Sequence, residues 1–205
     1  MKTCYIVGAG EIEALSFCPG EGDLVIACDG GYEHCRKWKI RMDLVVGDFD
    51  SLRFIPDHPH VVGLKPEKDD TDTGCAAMIG LERGYREFVI YGGTGGRISH
   101  TIANIQLLSD LARKGCHGTL MGKDAWYRVI RNEEIRLGKE CAGYLSVFCL
   151  GDKAFGVYES GLKYRLEDAT LTKEYPVGVS NEFVGTESRV SVREGMLLLI
   201  GERKD

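Results

Sequence analysis

A chain of 205 residues with 43% apolar residues, 28% charged residues and only 5 prolines is long enough to bury a core in one or two domains, which excludes a disordered polymer. No apolar run exceeds five residues, the length of Met196 to Ile200, far short of the ~18 residues a spanning helix needs, so no membrane partner is expected. Lys and Arg total 26 against 31 Asp and Glu, a net charge of −5 that lacks the basic excess of a general nucleic-acid binder.

The N-terminus turns polar too soon for a signal peptide, and a cytoplasmic location is expected. The 8 cysteines form no C-x-x-C pair and no metal-ligand spacing, so they read as small buried apolar residues in a reducing compartment. The 27 glycines are nearly double the usual share of about 7% and point to tight turns or close backbone approach to a ligand.

In chain order, short continuous apolar runs at Cys4 to Val7, Leu24 to Cys28, Leu44 to Val46, Val61 to Leu64, Phe88 to Tyr91 and Gly118 to Met121 predict strands covered on both faces. Between them, Asp72 to Glu82 predicts a helix closed by Arg83-Gly84. His100 to Arg113 predicts a stronger one, with Ile98, Ile102, Ile105, Leu108 and Ala112 on one stripe and a stop at Lys114-Gly115. Strand alternating with helix implies a mostly parallel three-layer α/β domain, over residues 1–123, whose ligands sit beyond the carboxyl ends of the strands. From residue 124 to 205 the pattern changes to closely spaced short runs: Tyr127 to Ile130, Glu134 to Leu137, Tyr144 to Cys149, Ala154 to Val157, Ala169 to Leu171, Arg189 to Val192 and Met196 to Ile200. These predict a C-terminal all-β sandwich.

Acidic residues concentrate between Asp43 and Asp72, eight against three basic ones, and they abut strand ends. In Gly47-Asp48-Phe49-Asp50-Ser51, extended backbone would aim Asp48 and Asp50 to one side and Phe49 to the other. Paired carboxylates repel unless a cation or a proton intervenes, and oxygen donors without His or Cys suit Mg²⁺ bridged to a phosphorylated substrate. Lys68-Asp69-Asp70-Thr71-Asp72 opens the Asp72 helix. One of Asp69, Asp70 and Thr71 would cap it, Asp69 and Asp72 would share the face of its first turn, and Lys68 would touch a phosphate.

Gly92-Gly93-Thr94-Gly95-Gly96-Arg97-Ile98-Ser99-His100 leads from a strand into the strongest helix. Its backbone N–H groups suit an anion, and Arg97 offers a planar fork to phosphate oxygens. The spelling fits neither the P-loop nor the dinucleotide fingerprint. Asp29-Gly30-Gly31 repeats the theme after another strand. Together these loops describe a Mg²⁺-nucleotide site.

The order D-G-G, G-D-x-D-S, K-D-x-T-D, G-G-x-G-G-R and finally Ser180-Asn181 resembles the thiamine pyrophosphokinase family over nearly the whole chain. The resemblance implies transfer of the pyrophosphoryl group of ATP to thiamine with release of AMP, in a homodimer whose thiamine lies between the α/β domain of one subunit and the β domain of the other. It implies Asp48, Asp50 and Asp72 around Mg²⁺, Asp69 or Asp72 on the thiamine alcohol, and Arg97 and Lys68 on phosphates. The remaining ligand-binding candidates are Asp29, Gly30, Gly31, Thr71, Gly93, Thr94, Gly95, Gly96, His100, Ser180 and Asn181. The chain departs from the family at Ser99, where an Asp usually precedes the His, and Phe183 is the nearest aromatic candidate to lie against thiamine. Two other readings of the same loops are a pyrophosphokinase acting on a different hydroxyalkyl heterocycle, such as a pterin, and a thiamine or nucleotide sensor without turnover.

Overall fold

The computed structural model describes residues 2–15, 17–50, 52–64 and 70–204. They divide into two compact units, Met1–Leu111 with Gly115–Lys123, and Asp124–Asp205 with Ala112–Lys114.

In the first unit all six predicted runs are strands: β1 (Thr3–Val7), β2 (Leu24–Cys28), β3 (Leu44–Gly47), β4 (Val61–Gly63), β5 (Glu87–Tyr91) and β6 (His117–Met121). They pair in parallel in the order β6-β5-β1-β2-β3-β4. β2 and β3 are buried on both faces, which is why their runs are continuously apolar, whereas β4 lies at the sheet edge with Val62 and Gly63 exposed, contrary to the expectation that its run is covered on both faces. Val7, Ala27 and Val45 pack with Tyr32 and Cys35 of helix α1 (Gly31–Trp38). On the opposite face Gly80 of α2 (Asp72–Glu82) lies against Cys4 and Phe88, and Gly118 lies under Leu108 and Leu111 of α3 (Ile98–Arg113). The result is the three-layer arrangement expected.

Helix α1 is absent from the sequence expectations, because only Gly31, Tyr32 and Cys35 are buried in a segment otherwise rich in charge. Helix α3 differs in its face. Ile98 and Ile102 are exposed, at 76% and 53%, while Asn104, Leu108 and Leu111 turn inward, so a polar residue occupies a place the apolar stripe would have filled.

Strand order reverses at β1. The chain proceeds from β1 outward through β2, β3 and β4, then returns to place β5 and β6 on the other side. The β1–β5 boundary is therefore the switch point beside which open α/β sheets bind ligands. Helices α1, α2 and α3 all begin at this end, so their N-terminal N–H groups favour anions there.

The second unit contains β7 (Ala125–Arg131), β8 (Glu134–Leu137), β9 (Tyr144–Cys149), β10 (Lys153–Ser160), β11 (Leu166–Thr172), β12 (Gly178–Glu182), β13 (Ser188–Glu194) and β14 (Met196–Glu202). They form two antiparallel layers, β12-β9-β14-β7 and β11-β10-β13-β8. Leu145, Val147, Leu197 and Leu199 from the first layer share one core with Val157, Leu171, Val190 and Val192 from the second, which makes the unit the predicted sandwich. Strand β12, rich in Gly, Ser and Asn, is absent from the predicted set because those residues signal turns.

Among the described residues no helix is long and apolar enough to cross a membrane. Most cysteines are buried or half-buried, but Cys18 is exposed, contrary to expectation. Burial pushes the Cys4 and Cys35 thiols up to about 12, and burial together with the nearby Asp72 raises Cys28, so all three stay protonated at neutral pH.

Candidate active site

A cavity of about 540 Å³ opens where the strand-end loops of the first unit converge. Its walls come from Gly8 to Gly10 after β1, Asp29 after β2, Asp48 and Asp50 after β3, Asp70 to Thr73 at the start of α2, and Gly92 to Gly95 with Arg97 after β5. Cys28 at the end of β2 and His100 and Asn104 of α3 complete it.

Carboxylate oxygens of Asp29, Asp48 and Asp72 all lie within 4.8 Å of one another, and each residue is half-buried. At 4.8 Å two such charges repel by roughly 3.5 kcal/mol at an effective dielectric near 20, more where they lie closer and less where water reaches the cavity. Three hard oxygen donors without a nitrogen or sulfur ligand fit a small divalent cation of the Mg²⁺ type. Asp50 lines the same cavity but lies outside this group of three, and its backbone N–H donates to Asp48 Oδ1 at 3.3 Å.

The cluster is built by unusual backbone. Asp29 leaves β2 at φ +47° while its N–H still pairs with the Val46 carbonyl at 2.9 Å. Phe49 sits at φ +61°, a costly conformation for a bulky side chain, and is held there by burial in the α1-side core. Phe49 therefore packs inward as expected, but through a left-handed turn rather than extended alternation, and this turn separates Asp48 from Asp50.

At α2, Thr71 is the cap. Its hydroxyl oxygen accepts the Gly74 N–H at 3.0 Å, and Asp70 Oδ1 accepts the Thr71 N–H at 2.8 Å. With Thr71 and Asp70 engaged at the helix start, the Asp72 side chain joins Asp29 and Asp48. Lys68 and Asp69 lie outside the described residues.

The glycine-rich loop is shaped by a second one. Gly10 N–H donates to the Gly92 carbonyl at 2.8 Å and Glu11 N–H to the Thr94 carbonyl at 3.1 Å. Gly92, at φ +64°, runs so close to the Gly8 carbonyl that a side chain on either glycine would collide with the other loop. Behind them the buried Asn104 donates to the Gly93 carbonyl at 2.8 Å. Gly8, Gly10 and Asn104 do not figure in the sequence-based site. A signal was present for the first two, since G-x-G directly follows an apolar strand as the other site loops do. Asn104 gives none, because a lone Asn within a helical stripe is ambiguous.

Gly93, Thr94, Gly95, Arg97 and His100 all line the cavity, with Arg97 and His100 exposed on its rim. Gly30, Gly31 and Gly96 are not among the lining residues. Gly31 has a packing role, since a side chain there would strike the Val7 carbonyl. Helix α3 starts at Ile98, so Ser99 is its second residue, inside the first turn and not at the cap.

In the second unit Ser180 and Asn181 lie on β12 at an irregularity in its pairing with β9. Ser180 is exposed, in left-handed conformation at φ +59°, and its N–H donates to Ser146 Oγ at 3.1 Å. Asn181 is buried. Phe183 is half-buried and packs against the sandwich core.

A strand-end cavity that joins a carboxylate cluster to a glycine-rich loop in an α/β unit has the make-up of an enzyme active site, here in a chain that also carries a β-sandwich. The family model for the thiamin pyrophosphokinase catalytic domain matches residues 20–120, and the one for the thiamin pyrophosphokinase vitamin B1 binding domain matches residues 132–197. Thiamine pyrophosphokinase from Bacillus subtilis (strain 168) is 29% identical over 210 residues, covering 98% of each chain. The crystal structure of thiamine pyrophosphokinase from Bacillus subtilis superposes with a TM-score of 0.90 at 28% identity, covering 100% of both chains. That of a thiamin pyrophosphokinase family protein from Enterococcus faecalis gives 0.84 at 26% identity, again over 100% of both. The chain belongs to the thiamin pyrophosphokinase family.

Proposed function

We propose that the protein transfers the pyrophosphoryl group of ATP to the hydroxyethyl oxygen of thiamine. That oxygen attacks the β-phosphorus, the bond from the β-phosphorus to the oxygen bridging it to the α-phosphorus breaks, and AMP leaves with that oxygen while the alcohol loses its proton. The observation that carries this reading is the Asp29, Asp48 and Asp72 cluster sharing one cavity with the Gly92 to Gly95 loop and Arg97. Both a cation site and an anion cradle are needed to hold a polyphosphate in line with an alcohol, and positioning with charge neutralisation supplies most of the rate in such transfers.

The first unit, residues 1–123, would bind ATP. Backbone N–H groups of the glycine loops and the helix N-termini would hold phosphate oxygens, Arg97 would fork onto them, and His100 would brace the loop. Asp29, Asp48 and Asp72 would hold Mg²⁺, which when bound offsets the phosphate charge. Asp50 would sit beside them as an outer acceptor. Asp72, or Asp69 on sequence grounds, would orient the alcohol and take its proton, and Lys68 would reach a phosphate.

Residues 124–205 would bind thiamine through Ser180 and its neighbours. The chain would act as a cytoplasmic homodimer with thiamine between the catalytic unit of one subunit and the B1-binding unit of the other. Supporting this, β12 is a sheet edge, and Tyr164, Val177, Val179 and Val184 beside it are exposed apolar residues. The experiment is product analysis with purified protein, Mg²⁺, ATP and thiamine, with a hydroxymethyl pterin as competing acceptor. Thiamine diphosphate and AMP in equal amounts are expected. ADP as the nucleotide product, or preference for a hydroxymethyl pterin over thiamine, would overturn the reading.

A further inference from the structure

We infer that Glu159 and Asn181 form a buried latch across the β-sandwich that sets Ser180 for thiamine, so that Asn181 is a positioning residue and not itself a ligand contact. The inference rests on the proposed role of the Ser180 segment in binding thiamine.

Asn181 has no hydrogen-bonding capacity left for a ligand. Its Nδ2 donates to Glu159 Oε2 at 2.8 Å and to the Tyr164 carbonyl at 2.7 Å, and its Oδ1 accepts the N–H groups of Tyr164 at 2.9 Å and Glu182 at 3.0 Å. Two donors and two acceptor positions are the whole inventory of a carboxamide. Asn181 is also only 5% exposed.

Glu159 is odder still. It is 1% exposed, on β10, between Leu166 of β11 and Val190 of β13 in the register of its sheet. Oε2 meets Asn181, while Oε1 has no hydrogen-bond partner among the described residues. An apolar side chain would suit this core position better if packing were all that mattered. What Glu159 supplies is an acceptor that crosses from the β11-β10-β13-β8 layer to β12 in the other. There it pins the residue next to Ser180, whose left-handed backbone and irregular pairing would otherwise be loosely specified. The exposed Ser180 is left to face the ligand.

The test compares two substitutions at one position. Glu159→Gln keeps an oxygen acceptor for Asn181 Nδ2, whereas Glu159→Leu removes it at similar volume and apolar gain. The latch predicts that Glu159→Gln stays within twofold of wild type in KM for thiamine. Glu159→Leu should raise that KM at least tenfold, with KM for ATP within twofold and Tm not lowered. A wild-type thiamine KM in Glu159→Leu, equal losses in the two variants, or a parallel rise in KM for ATP would each overturn it. Amide hydrogen exchange over residues 178–183 provides a readout independent of turnover, and should be faster in Glu159→Leu than in Glu159→Gln; equal rates overturn the latch. Absence of thiamine-dependent AMP release from the wild type would instead contradict the proposed function, and the exchange comparison would still decide the latch.

Discussion

Two sets of carboxylates stand in opposite circumstances. Asp29, Asp48 and Asp72 are crowded together but half-exposed at two strand ends and a helix start, where water and a cation can reach them. Glu159 is alone in the sandwich core with one hydrogen bond. Crowded charge beside a cavity is relieved by recruiting an ion, so its strain is available to function. Isolated charge in a core is relieved only by a proton or a neighbouring dipole, so it acts on structure.

The greatest loss of activity is expected at the Asp29, Asp48 and Asp72 cluster. Asp48→Asn should lower AMP release at least 100-fold while Tm holds or rises, because one repelling charge is gone; a fall in Tm alongside retained activity would mean the cluster is structural. Next comes Asn104→Ala, which removes the buried donor to the Gly93 carbonyl. It should cost about 1–3 kcal/mol of stability and raise KM for ATP severalfold, as judged by thermal unfolding and initial rates.

A pH series sharpens the other side. Burial pushes the Glu159 carboxyl above its usual 4.5, with the Asn181 hydrogen bond opposing in part. Between the unfolded and folded values the folded chain holds a proton that the unfolded chain has lost. The favourable contribution is therefore complete below about 4.5 and fades as pH rises through the folded value. Glu159→Gln removes that dependence, so its Tm advantage over wild type should be larger at pH 8 than at pH 5. An advantage independent of pH would show that Glu159 titrates normally.

Ser99 gives the smallest effect. As the second residue of α3 it is no cap, so Ser99→Ala should change stability by less than the ~1 kcal/mol a lost cap costs. Ser99→Asp should add about 0.3–1 kcal/mol through the helix dipole and leave turnover within a few-fold. A tenfold gain in turnover would instead give the family's Asp a catalytic part.

The α/β sheet was legible because every strand buried on both faces leaves a continuous apolar run, such as Leu24 to Cys28. Helix α1 and strand β12 were not, since α1 buries only Gly31, Tyr32 and Cys35 and β12 is an edge strand of turn-forming residues. In the site, Asp48, Asp72, the Gly92 loop and Arg97 were readable from strand-end spelling. The grouping was not: Asp29 takes the third place beside Asp48 and Asp72 because left-handed turns at Asp29 and Phe49 re-aim the chain, and no spacing rule encodes a positive φ at a Phe. Asn181 was legible as a motif residue, but its inward orientation depends on Glu159 and Tyr164, distant in sequence.

The most direct test of the account is a Mg²⁺ titration of thiamine-dependent AMP release in Asp29→Asn and Asp50→Asn. Membership of Asp29 in the cluster, with Asp50 outside it, predicts that Asp29→Asn raises the Mg²⁺ needed for half-maximal rate at least tenfold while Asp50→Asn shifts it by no more than threefold. The reverse order, with Asp29→Asn titrating like wild type, would contradict the carboxylate cluster as the centre of the site.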